Sequence, residues 1–256
     1  MAEDPTKEGT IEINTEDGVG TVTFGHPKSN SLPAALLQKV ADAIQDCSDD
    51  ASVRVILLKT TGEKAFCAGA SFDEFLAVSN LDESKACFGG FAKIINAIRK
   101  SSKLVVARVQ GKVVGGGVGI VAASDYAIAT EASAAKLSEI QLGIGPFIIG
   151  PAVQRKIGLP AFGIMGADAE WKTPEWCLDK CLYSKVTKDI SELDKEVSEL
   201  CQRFAKFNPD ATLHLKKILW EGTENWDALL QERVGITAEL ALTDFVQSTI
   251  QSLKAK

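Results

Sequence analysis

Gly115-Gly116-Gly117-Val118-Gly119 is the stretch from which the rest of this chain can be read. It follows Leu104 to Val109, an apolar run with the pattern of a buried strand, and it precedes Ser138-Glu139. Glycines without a Cβ let backbone approach a ligand closely. An acidic residue set among Leu137, Ile140 and Leu142 stands where desolvation makes a carboxylate basic. Exposed backbone N–H groups beside one poised base describe a site that draws a proton from carbon next to a carbonyl. The same residues also suit a tight turn feeding a packed helix, with Glu139 on the surface. Spacing alone leaves both open.

Gly117 to Ala122 also fits G-x-G-x-x-A, with Glu139 near the distance expected of a ribose-binding acid. That fingerprint belongs to the first strand–helix turn, and its acid closes the second strand. Here two strand-like runs and a helix come earlier. The next strand, Tyr126 to Thr130, ends well before Glu139, which argues against a dinucleotide fold.

The 256 residues suit one large domain, or a domain with an appendage, able to bury a sizeable core. Against 28 Lys and Arg stand 34 Asp and Glu, a net charge of −6 without a basic tract, which argues against a nucleic-acid partner. A local basic pocket for a phosphorylated cofactor remains compatible with that balance. No apolar run approaches the ~18 residues of a membrane span. Met1 to Thr10 is acidic and polar, unlike a secretory signal, so the expectation is a cytoplasmic protein with no membrane partner. The six cysteines include no CxxC pair and are expected reduced and mostly buried. Cys67 in a Gly/Ala-rich turn is a candidate nucleophile, and Cys177 with Cys181 a candidate metal pair, but neither has an evident partner. His26 and His214 are the only histidines, which excludes a three-histidine zinc site and gives a histidine-based triad little support. Chemistry must rest on carboxylates and backbone, and no metal is expected.

Alternation predicts a hairpin from Ile11 to Phe24 about Asp17-Gly18. A helix follows over 34–46, with Pro33 at its first position and Leu36, Leu37, Val40 and Ile44 on one face. Val53 to Leu58 reads as a buried strand, 60–70 as a loop, and Ser71-Phe72-Asp73-Glu74 as a capping box opening a short helix. A helix over 84–100 is weakened by Gly89-Gly90. Buried strands joined by helices argue α/β architecture. Beyond Asp189 only helices are expected, over 192–207, 209–219 and 226–250. The last aligns Trp226, Leu230, Val234, Ala238, Ala241 and Phe245 on one face, to pack on its own core or on a neighbouring subunit.

From Val19 to about Phe245 the chain resembles the crotonase (enoyl-CoA hydratase/isomerase) superfamily, on five motifs in order. Gly62 to Ala70 resembles the family's first oxyanion-hole loop, and Gln110-Gly111 through Gly117 its second. Ala123-Ser124-Asp125-Tyr126 resembles the C-D-x-x-x-A pattern, and Leu137 to Ile144 the segment of the catalytic glutamate. Gly158, then Leu182 to Val186, resembles the step before the C-terminal helices. The resemblance implies a crotonase-like spiral of repeated ββα units over 1–205 holding the acyl-CoA site, and a C-terminal helical region, 206–256, serving oligomerisation. It implies an acyl-CoA substrate, no cofactor beyond the substrate's coenzyme A, and a homotrimer or dimer of trimers. The oxyanion amides fall on Ala70 and Gly116, the base on Glu139, and coenzyme A contacts on Ala68 and Lys28.

Family hydratases carry two glutamates to hold and activate a water; the first falls on Gly119, which has no side chain. Gly145-Pro146-Phe147-Ile148-Ile149-Gly150-Pro151 replaces their P-G-x-G-G turn, and Ser71 stands where Asp is frequent. Glu139 to Ile144 followed by Pro146-Phe147 is nearer to the family's single-glutamate Δ3,Δ2-enoyl-CoA isomerases. The expectation is therefore an isomerase, with a hydratase and a non-catalytic acyl-CoA-binding homologue as alternatives.

Overall fold

The computed structural model describes residues 9–254. β1 (Thr10–Glu16) and β2 (Val19–Gly25) form the expected hairpin, turned by Asp17 and Gly18 at φ 49° and 79°. A short strand β3 (Ser31–Leu32) leads into α1 (Ala34–Asp49), which runs further than expected and has Pro33 as its N-cap. β4 (Val55–Thr60) follows. The segment expected as a loop contains two short strands, β5 (Ala65–Cys67) and β6 (Gly69–Ala70). The Ser71 hydroxyl accepts the Glu74 N–H at 3.4 Å and caps α2 (Phe72–Ala77). The reciprocal half of the capping box is replaced: the Glu74 carboxylate accepts the Ala34 N–H at 2.8 Å, joining α2 to the start of α1. α3 (Leu81–Lys100) begins earlier than expected, at an Asn80 cap, and Gly89-Gly90 leaves it whole. A Cβ on Gly90 would meet Leu37 at 2.4 Å, so glycine there permits the close approach of α1 to α3.

β7 (Leu104–Val109), buried along its whole length, continues through β8 (Lys112–Val114) into α4 (Gly116–Ala123) and β9 (Tyr126–Thr130). Next come β10 (Ala135–Lys136), a 3₁₀ turn (Glu139–Leu142), α5 (Gly150–Ile157), α6 (Leu159–Asp168), α7 (Pro174–Asp179) and β11 (Lys185–Thr187). The main sheet has the order β1-β2-β4-β7-β9-β11, parallel throughout except for the hairpin. Two small parallel sheets, β10-β8-β5 and β3-β6, repeat the advance of the chain from one turn of the spiral to the next. This is the α/β spiral expected of the crotonase fold. Its main core lies between the large sheet and α1, α3 and α4, and a smaller one lies beneath α8 (Ile190–Ala205), where Leu193, Val197 and Leu200 cover Val55, Val106 and Ile128.

α9 (Pro209–Leu219), α10 (Trp226–Ala241) and α11 (Asp244–Lys254) complete the fold. The single helix expected over 226–250 is thus two helices. The Leu242 and Thr243 N–H groups turn back to the Glu239 and Leu240 carbonyls at 3.3 and 3.0 Å, and the Thr243 hydroxyl donates to Leu240 at 2.6 Å, ending the first helix. Trp226, Leu230, Val234, Ala238 and Ala241 are buried in the chain's own core, and the Ser84 hydroxyl on α3 donates to the Ala238 carbonyl at 3.1 Å. Phe245 leaves that stripe and is 69% exposed. Cys67 is buried, and burial pushes its thiol up to about 12, which disposes of it as a nucleophile. Cys177 is buried while Cys181 is exposed, and among the described residues no group of three His, Cys, Asp or Glu side chains could hold a metal. No helix among the described residues is long and apolar enough to cross a membrane.

Candidate active site

The glycine turn is where β8 hands over to α4. Gly115 takes φ 54°, a conformation that favours glycine, and its N–H donates to the Lys136 carbonyl on β10 at 2.9 Å. The first amides of a helix have no preceding turn to accept them. Among the described residues no backbone carbonyl accepts the Gly116 N–H. A Cβ at Gly116 would lie 2.3 Å from the Phe91 ring, and one at Gly117 would lie 2.7 Å from the Cys67 Cβ. The start of α4 is therefore packed directly on α3 and on the β5–β6 segment. A Cβ on Gly69 would stand 4.0 Å from the Gly116 nitrogen, which brings the Gly69-Ala70 backbone beside the turn.

These segments border a cavity of about 210 Å³. Ala68, Ala70 and Gly116 line it, as expected of residues at one site. Phe72 and Phe75 of α2 and Phe88 and Phe91 of α3 supply an aromatic wall, in which Phe75 meets Phe88 edge to face at 4.8 Å. Leu142, Ile144, Ile148 and Ile149 close another side, and Thr237 of α10 also reaches in. Lys28 does not line the cavity. It is exposed on the turn before β3 and pairs with Asp73 on α2. That turn still supports the site, because the Asn30 carbonyl accepts the Ala68 N–H at 3.1 Å.

Among the described residues Glu139 is the one ionisable side chain in the cavity wall. It opens the 3₁₀ turn, which Gly143 closes at φ 85° by returning its N–H to the Glu139 and Ile140 carbonyls. Its Oε1 lies 3.2 Å from where a Cβ on Gly115 would be, so the carboxylate rests against the glycine turn. Its Oε2 is shut off from solvent and has no hydrogen-bond partner among the described residues. Burial pushes this carboxyl up from 4.5 to about 7, partly opposed by the backbone N–H groups of Glu139 and Ser138. A perturbed carboxylate with a free oxygen, in an apolar cavity, is equipped to move a proton.

Gly119 is absent from the wall. It sits inside α4, where an added Cβ would lie 2.5 Å from the Ile149 Cγ2. The space that a longer side chain at 119 would need is filled by Ile149. Gly117 to Ala122 lies within α4, after β8 of the small three-stranded sheet rather than after the first strand of the main sheet, so the dinucleotide pattern is coincidental. The aromatic wall went unread in the sequence. Phe72/Phe75 and Phe88/Phe91 do carry i, i+3 spacing, but that spacing marks any core-facing helix. Nothing local points to Ile149 or Thr237.

The family model described as enoyl-CoA hydratase/isomerase matches residues 14–253. The chain belongs to the enoyl-CoA hydratase/isomerase family. A probable enoyl-CoA hydratase of Bacillus subtilis is 27% identical over 212 residues, which is 82% of this chain and 81% of that one. A mitochondrial 3-hydroxyisobutyryl-CoA hydrolase of Gallus gallus is 29% identical over 62% of this chain, a stretch that spans 44% of the hydrolase. Among solved structures, an enoyl-CoA hydratase from Bacillus halodurans superposes with a TM-score of 0.87 at 19% identity, covering 94% of this chain and 99% of that one. An enoyl-CoA hydratase/isomerase from Mycobacterium paratuberculosis gives a TM-score of 0.85 at 20% identity over 98% and 99% of the two chains. These two likenesses establish the crotonase fold. The chain is an acyl-CoA enzyme of the enoyl-CoA hydratase/isomerase family.

Proposed function

We propose that this family member moves a double bond from C3 to C2 of an enoyl-CoA, using Glu139 as its single base. The observation that carries this reading is that Glu139 stands alone: among the described residues the cavity wall holds no second ionisable group, and Ile149 occupies the space beside Gly119. The Glu139 carboxylate takes a proton from C2. The electron pair of that C–H bond passes into a dienolate whose charge rests on the thioester oxygen, held by the Ala70 and Gly116 N–H groups. Protonated Glu139 then returns the proton to C4, and the double bond is left between C2 and C3. A carboxyl titrating at about 7 suits both halves of this transfer at neutral pH. The phenylalanine and isoleucine walls exclude water that would compete for the intermediate. Ala68, which lines the cavity, and Lys28, on the turn before β3, are assigned to contact coenzyme A in this reading, and the reaction uses no other cofactor. Leu215, Ile218 and Leu219, exposed together along α9, suit assembly into a trimer or a dimer of trimers.

Hydration of 2-enoyl-CoA is the second reading, favoured by two relatives that are probable enoyl-CoA hydratases, from Bacillus subtilis and Rhizobium meliloti. It needs a further group to hold the water, and Ser138 and Thr237 are the remaining polar side chains in the wall. Assaying 3-enoyl-CoA and 2-enoyl-CoA of the same chain length side by side separates the two. Isomerisation is expected to be faster; hydration exceeding it would overturn the preference.

A further inference from the structure

α4 carries the Gly116 amide at one end, and its other end is held by a buried cluster of charge. The Ser124 N–H and hydroxyl close the helix on the Ile120 carbonyl at 3.1 and 2.9 Å. The Lys156 ammonium, from α5, donates to the Ser124 carbonyl at 3.0 Å and lies 3.4 Å from the Asp125 carbonyl. Asp125 in turn accepts the Val105 N–H at 2.7 Å and pairs with Lys216 of α9. The side chains of Lys216 and Asp125 are only 2% and 7% exposed. Lys156 pairs with no carboxylate among the described residues. Two ammonium groups thus face one carboxylate, and the surplus positive charge stands against the carbonyl end of the helix. That is the sign a helix C-terminus favours. Burial lowers the pKa of both lysines, with Asp125 opposing the effect.

The same α5 touches α4 at a second point, since Ile149 at its N-cap packs against Gly119. α4 has only eight residues, about 12 Å of helix. Its carbonyl end is therefore close enough for a charge there to act on the amide at the other. It also has no polar face of its own by which to be held, because Gly117 to Ala123 are all buried.

We propose that Lys156 is a positioning residue for the Gly116 amide: its ammonium anchors and electrostatically completes the carbonyl end of α4, and so strengthens the pull of Gly116 on a bound thioester oxygen. This rests on the acyl-CoA reading of the cavity. The test binds crotonyl-CoA labelled with ¹³C at its carbonyl to wild type, Lys156→Gln and Lys156→Arg, and records the carbonyl stretch by infrared difference spectroscopy. Gln keeps a donor toward Ser124 without the charge, and Arg keeps the charge. The wild type is expected to lower the carbonyl frequency, Lys156→Gln to lose a large part of that shift, and Lys156→Arg to retain most of it. With the best substrate, Lys156→Gln is expected to lower kcat on the order of tenfold while KM stays within about twofold. A wild-type shift that folded Lys156→Gln preserves would overturn this inference alone. Binding to wild type without any shift would overturn the amide assignment and this inference together. Should Lys156→Gln not fold, an unaltered shift in Lys216→Met, which leaves Asp125 free to neutralise Lys156, would also overturn it, and a reduced shift would support it.

Discussion

Replacing Glu139 by Gln should destroy turnover, and the stability of the variant relative to wild type should rise with pH in a calculable way. An ordinary Glu titrates at 4.5, whereas burial carries Glu139 to about 7. Between these values the folded protein holds a proton that the unfolded chain has released. Stability therefore falls as pH rises through that window and levels off above it. The interval of about 2.5 pH units, at about 1.36 kcal/mol each, amounts to about 3 kcal/mol of lost stability at pH 8.5. Gln carries no such cost. Its amide does bring a donor into a place where Oε2 now has no partner, a penalty of about 1–3 kcal/mol that does not vary with pH. The stability of Glu139→Gln relative to wild type should thus rise by about 3 kcal/mol between pH 4.5 and 8.5, whatever its starting value. Carboxylates held low in the fold, such as Asp168 and Glu196, give both proteins the opposite slope and cancel in the difference. Urea denaturation at closely spaced pH values measures it. A difference that stays flat would show that Glu139 is solvated and ordinary, and would remove the physical basis for using it as the base. In the active enzyme, the same titration should make kcat/KM rise with pH to a plateau, with its midpoint near 7.

Gly116→Val should cost about 10²–10³ in turnover, because its Cβ would enter the Phe91 ring and displace the amide; wild-type rates in a folded variant would remove Gly116 from the site. Gly119→Ala should destabilise by about 1–3 kcal/mol through contact with Ile149, with Ile149→Ala relieving much of the loss, as a double-mutant cycle in urea would show. Gly119→Glu alone should therefore fail to raise hydration of 2-enoyl-CoA, and a gain in that rate would mean that Ile149 yields. Light scattering should find a trimer or hexamer at micromolar concentration, and Ile218→Glu on exposed α9 should weaken it; a wild-type monomer would refute the assembly.

The elements with strong local signatures were legible in the sequence. Asp17-Gly18 turned the hairpin, the unbroken apolar runs became β4 and β7, and Ser71 capped α2. Strands of two or three residues were not legible, since β3, β5, β6, β8 and β10 are too short to show alternation and exist because a neighbouring turn of the spiral pairs with them. The stripe on α10 was correctly seen as apolar, but only packing on α3 decided that it belongs to the chain's own core. The break before α11 follows from side-chain and backbone bonds at Thr243 that compete with the helix.

At the site the division has the same cause. Sequence by itself singled out the candidates for chemistry: Glu139, and a glycine turn able to offer amides. It also showed that position 119 has no side chain. Only the tertiary structure decided that Ile149 fills the space this leaves, that phenylalanines from two helices face one cavity, and that Oε2 of Glu139 has no partner among the described residues. Residue type fixes what a group can do. The groups that set its pKa and surroundings lie far away along the chain, and desolvation depends on distance in space.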